Sequence, residues 1–184
     1  MDIDTIITHA KAFLLKHGKH PPVMYVEVEG KADPIMLPFY NFPFTSTRER
    51  ERGLFTAARF FAQSNKKRLK RTKVTALAFV VEAWGRKQKP GDSYIQPSRA
   101  PDRIEILAVT WLDVPSMTLT ASMFEMLRSG TSLDLVAIEQ PQEARGSLLP
   151  AFLVGIETAS RPEGDALAKL RQVCDEYAAG SDEP

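Results

Sequence analysis

Val74-Thr-Ala-Leu-Ala-Phe-Val-Val-Glu-Ala-Trp84 and Ile104-Glu-Ile-Leu-Ala-Val-Thr-Trp-Leu-Asp113 are the two longest apolar, β-branched runs of the chain. Both are too dense for loops and too alternating for surface helix, and they predict the two central strands of a sheet. In the first, Val74, Ala76, Ala78, Val80, Glu82 and Trp84 share one face; Thr75, Leu77, Phe79, Val81 and Ala83 share the other. Both faces stay apolar as far as Glu82, so the strand is expected inside the sheet with cover on both sides. The second run repeats the pattern, and Phe79 and Leu107 are expected deep in the core. Between the two lies GRKQKPGDSYIQPSRAPDR, a charged stretch with three prolines and no helical period. A parallel return would need a crossover helix, so antiparallel pairing is expected.

Working outward, Pro115 breaks the ladder and Ser116–Leu127 reads as a third strand. There Met117, Leu119, Ala121 and Met123 alternate with Thr118, Thr120 and Ser122. Arg128-Ser129-Gly130 reads as a turn and Thr131–Glu139 as a fourth strand, which makes a meander. Upstream, Asp2 or Asp4 caps a helix through His17 with Ile6, Ile7, Ala10, Phe13 and Leu14 on its apolar stripe. Gly18 and Pro21-Pro22 end it. Val23–Glu29 alternates as a half-buried strand whose Tyr25, Glu27 and Glu29 face is wet, and Pro34–Pro38 reads as an edge strand.

Pro38–Phe44, PFYNFPF, holds four aromatics and two prolines. It reads as a loop plugging one end of the core or as an exposed aromatic patch. Ser46 and Glu49 form a capping box for a helix to about Asn65, with Leu54, Phe55, Ala58, Phe61 and Ala62 buried. Leu148–Thr158 is open between strand and helix; Ser147 as cap and Pro150 in the first turn favour a short helix. Ser160 and Glu163 read as a capping box for a last helix carrying Leu167, Leu170, Val173, Cys174 and Tyr177. The expected architecture is α+β. A single domain over 1–178 holds a mainly antiparallel meander of four to six strands, covered by N-terminal, middle and C-terminal helices, and 179–184 is a frayed tail.

The 184 residues are 43% hydrophobic and 26% charged, the composition of a globular protein. No apolar run approaches the ~20 residues of a membrane span. The start of the chain lacks the basic and apolar regions of a secretory signal, and the lone Cys174 excludes a disulfide within the chain. A cytoplasmic location, with no membrane contact, is expected.

The net charge of +1 conceals an asymmetry, because residues 45–73 hold ten Lys/Arg against two Glu. Lys66, Lys67, Arg68, Lys70, Arg71 and Lys73 crowd its end and form a candidate polyanion-binding segment. Two or three of them complement the end of the preceding helix. No aromatic interleaves them, so a nucleic acid would be held by phosphate and without regard to sequence. A hydrated connector, or one that docks on an acidic surface of another copy, is the plainer reading.

Catalytic signatures are sparse. His9, His17 and His20 crowd the N-terminus without CxxC, HExxH or HxH spacing, so no metal site is expected. Neither GxSxG nor a glycine-rich phosphate loop occurs, and Cys174 sits on an apolar helix face as an inert thiol. No cofactor is implied. Antiparallel pairing brings Glu82 and Trp84 beside Arg103 and Glu105 at one sheet end. A metal-dependent nuclease would want Glu-x-Lys there, but Glu105-Ile-Leu107 and Glu82-Ala-Trp84 supply Leu and Trp. A cross-strand Glu82–Arg103 pair at the sheet rim is the reading preferred for this polar cluster.

Glu82-Ala-Trp84 and Pro97-Ser-Arg-Ala-Pro-Asp102-Arg103-x-Glu105-x-Leu107 together resemble a stretch of small uncharacterised bacterial and phage α+β proteins, over about a third of the chain. Those proteins have no assigned activity. The resemblance therefore implies a shared fold and no catalytic residue. Three functions stay open: a non-catalytic binding or assembly protein, with a protein partner or self-association; a nucleic-acid accessory protein acting through 66–73; and an enzyme with a carboxylate site at the sheet end. The first leads.

Overall fold

The computed structural model describes residues 2–40, 46–69, 73–86, 99–130, 132–138 and 146–179. In chain order the elements are α1 (Ile3–His17), β1 (Val23–Val28), β2 (Ile35–Pro38), α2 (Thr47–Ser64) and the single turn α3 (Lys66–Leu69). They continue with β3 (Val74–Gly85), β4 (Ile104–Asp113), β5 (Thr118–Ser129), β6 (Ser132–Ile138), α4 (Leu148–Glu157) and α5 (Glu163–Ala179). The six strands form one antiparallel sheet in the order β2-β1-β3-β4-β5-β6. The runs Val74–Trp84 and Ile104–Asp113 form its central pair, β3 and β4, and Phe79 and Leu107 are buried. Of the tail expected at 179–184, Ala179 ends α5, and 180–184 lie outside the described part, as do 41–44 of the aromatic stretch.

The sheet is covered on both faces. On one, Met24, Val26, Leu77, Phe79 and Leu112 meet Leu54, Ala58 and Phe61 of α2 and Leu149, Phe152 and Leu153 of α4. On the other, Val23, Tyr25, Ala78, Val80, Leu107 and Val109 meet Ile6, Ala10 and Leu14 of α1. This second layer corrects the expectation of a wet face on β1, because α1 lies over Tyr25. Phe13, expected in the stripe, is 42% exposed and packs on the His17 and His20 rings instead. Phe39 reaches the core edge-on to Phe79 while Tyr40 is exposed, so the described part of the aromatic stretch divides between the two readings.

Caps set both ends of α1 and the start of α2. Asp2 accepts from the Asp4 and Thr5 amides, and Gly18 closes α1 in the left-handed conformation, which costs glycine nothing sterically. Ser46 accepts from the Glu49 amide at 3.3 Å, while Glu49 answers with its carboxylate on the Ser46 hydroxyl rather than on the backbone. Leu148–Glu157 is helix, but Ser147 does not cap it; its hydroxyl donates to the Glu51 carboxylate of α2. The last helix likewise starts at Glu163, with the Pro162 carbonyl taking the first helical bond, later than a Ser160 cap would give. β5 begins at Thr118, since Met117 turns with a positive φ of 54°.

α2 and α4 cross at Gly155. A Cβ there would collide with the Phe55 carbonyl oxygen and with Ala58, so a side chain would push the helices apart. α5 packs outside this pair through Ala166, Leu170 and Val173.

Candidate functional site

The two ends of β3 each carry one of the sites read from the sequence. At its C-terminal end, Trp84 stands opposite Glu105 in the ladder and Glu82 opposite Leu107. Glu82, Trp84 and Glu105 all point to the α1 side. The expected Glu82–Arg103 pair is replaced by another arrangement. Arg128 of β5 donates from Nε to Glu105 at 2.7 Å, lies 3.9 Å from Glu82, and donates from a terminal nitrogen to the Gly18 carbonyl at 2.9 Å. Arg103 instead lies over the Trp84 ring, 4.5 Å from its centroid, a cation–π contact.

Glu82 also accepts from the His20 backbone amide. The His20 ring is buried, and Nδ1 lies 2.6 Å from the Pro21 carbonyl, which requires its proton on that nitrogen. Burial holds the imidazole below its usual pKa, against the opposing pull of the Pro21 carbonyl and the Glu82 charge. The hollow between Glu82, Ala83, Trp84, Glu105 and Met126 measures about 160 Å³, room for a few waters. Its polar groups hold strands and the end of α1 together.

At the other end of β3, on the α2–α4 side, a cleft of about 610 Å³ opens over the edge of the core. Ala62, Leu69, Val74, Val114, Leu153 and Ile156 make its walls, and Lys66, Lys73 and Glu157 carry its charge. Its shape is set by bonds from α2 to the end of α4. Arg59 donates to the Thr158 carbonyl at 2.7 Å and to the Arg161 carbonyl at 2.9 Å, and Gln63 donates to the Ala159 carbonyl at 3.0 Å. They tie α2 to the turn that follows α4.

Lys66 and Lys73 are exposed, and among the described residues neither ammonium has an ion-pair partner. They are the members of the basic segment whose side chains are described; Lys67, Arg68, Lys70 and Arg71 lie outside that part. The volume is that of small-molecule sites, which combine apolar walls with a few fixed charges.

Two features escaped the sequence reading. Arg128, expected in a turn, lies in β5, and counting by twos from Phe124 and Met126 places it on the face of Glu82 and Glu105. The cleft had no signal, because its walls come from four separated segments. Cys174 is half-buried, with its thiol pushed up to about 12, first by burial and then by the Glu51 charge. Among the described residues no three His, Cys, Asp or Glu side chains converge as metal ligands, and no helix is long and apolar enough to cross a membrane. Comparison of the chain with protein-family models, with curated proteins and with solved structures gives no match.

Proposed function

We propose that the protein is a non-catalytic binding protein whose ligand is an amphipathic anion held in the cleft beside the basic segment. One observation carries the reading: apolar walls and the exposed Lys66 and Lys73 border the same cleft of about 610 Å³. An apolar body is favoured there by about 25 cal/mol per Å² removed from water. An anionic head is favoured by the two ammonium groups, and Glu157 opposes them with one charge. The engagement of Glu82 and Glu105 by Arg128 and the His20 amide supports a structural part for the sheet end, against the carboxylate-enzyme reading. The resemblance to small bacterial and phage proteins and the lone cysteine support a cytoplasmic protein of that kind.

The test uses a fluorescent acyl carboxylate as probe, with the alcohol of equal chain length as control. Saturable binding of the carboxylate, weakened about tenfold or more by Lys66→Glu with Lys73→Glu and blocked by Ile156→Trp, is expected. Equal binding of the alcohol, or indifference to both lysines, overturns the proposal.

The exposure of Lys66 and Lys73 also favours a second reading, in which the basic segment holds nucleic acid by phosphate. Were all six charges engaged on duplex DNA, log K would fall with log salt at a slope of about −5. Duplex binding unaffected by raised salt removes that reading.

A further inference from the structure

We infer that β6 is a docking edge for a second copy of this chain, joined by antiparallel pairing of the two β6 strands centred on Leu135. The inference is independent of the cleft. It starts from the contrast between the two edges of the sheet. β2 has four residues, with Pro34 just before it and Pro38 at its end. Short length and proline are the devices that close an edge to further strands. β6, at the other edge, has seven residues, Ser132-Leu-Asp-Leu-Val-Ala-Ile138, with no proline, lysine, arginine or glycine.

It pairs with β5 in unbroken register from Ser129↔Ser132 to Met123↔Ile138, so no bulge twists it away. Among the described residues nothing pairs with its outer side. Among the described residues, its backbone there presents a row of unpaired donors and acceptors. Beside it, Val136 and Leu127 leave apolar surface on the α2–α4 side of the sheet, 48% and 46% exposed.

The sequence of β6 selects a register. Centring on Leu135 pairs all seven residues and sets Asp134, the strand's one charge, opposite Val136 of the second copy. Centring one residue earlier would set the two Asp134 carboxylates face to face, which is unfavourable. The Leu135 register also brings Leu135 against Leu135 and Leu133 against Ala137, apolar on apolar. Its two-fold axis is perpendicular to the sheet, so both α1 helices lie on one face of a continuous sheet.

Sedimentation equilibrium of the full chain, with circular dichroism to verify folding, tests the register. The parent is expected to approach twice the 20.5 kDa of one chain as concentration rises. Val136→Asp places like charges opposite each other twice per dimer and should weaken association by about tenfold. Val136→Lys, at the same exposed position, meets Asp134 of the second copy and should associate at least as well as the parent. A parent that stays monomeric overturns the proposal, as do two variants that weaken association equally or leave it unchanged.

Discussion

The two ends of β3 are built on opposite principles. At the Trp84 end, charged groups converge and pair: Arg128 serves Glu105, Glu82 and the Gly18 carbonyl together, and His20 gives its amide to Glu82. At the Val74 end, the polar bonds of Arg59 and Gln63 shape a cleft, and Lys66 and Lys73 stand at it without ion-pair partners among the described residues. Paired charge in a hollow too small for a ligand is architecture. Exposed charge beside apolar volume is the arrangement on which the proposed function rests. The difference teaches where to look for function in a chain without catalytic signatures: substitutions at one end should cost stability, and at the other, binding.

The largest effect should ignore the distinction. Phe79→Ala empties the core shared by both ends and should cost about 3–5 kcal/mol in denaturant unfolding. A loss below about 1 kcal/mol would mean that Phe79 is not a central core residue. Next is Gly155→Ala, whose methyl group meets the Phe55 carbonyl; overpacking of this kind costs about 1–3 kcal/mol. Since the α2–α4 crossing also shapes the cleft, acyl-probe affinity should change with it. Unchanged stability and affinity together would place the crossing elsewhere.

Arg128→Ala sharpens the contrast. Its partners are partly exposed, so the cost should be only about 1 kcal/mol, with probe affinity unaltered. An affinity change there would couple the two ends.

His20 gives the charged end a pH dependence. Its folded pKa is lowered from 6.5, chiefly by burial, so below 6.5 the unfolded chain takes up the proton first. Stability contributed by neutral His20 is thus complete above 6.5 and declines as pH falls towards the folded value. Titration of its ring by NMR should place the midpoint below 6.5; a midpoint above it would reverse the sign. The smallest effect belongs to Lys66→Ala with Lys73→Ala, which should change stability by no more than about 0.5 kcal/mol while weakening the probe. A substantial destabilisation would turn the lysines into architecture as well.

The sheet was legible where residues have one period. β3, β4 and the meander follow from alternation, and α2 from its stripe and the Ser46 cap. Tyr25 was misread because alternation shows that two faces differ, while only tertiary packing shows that α1 covers the second. Ser147 failed as a cap because its backbone is already helical rather than extended, and its hydroxyl is turned to the Glu51 carboxylate of a distant helix. The sheet-end cluster was half legible: strand register predicts Trp84 beside Glu105, but choosing between Arg103 and Arg128 needs a third strand. The cleft was illegible, as its walls carry ordinary core residues whose exposure depends on how helix ends are truncated.

The meander also sets an order of assembly. β4 pairs with β5 and β5 with β6, each across a connection of only a few residues, so these contacts close little chain. β1 must find β3 across the whole of β2, α2 and α3, and it pairs with nothing else central. Closing that longer segment costs more entropy before any contact compensates it. Refolding followed by pulsed hydrogen exchange should therefore protect the β4–β5–β6 amides first, with β1 acquiring protection later.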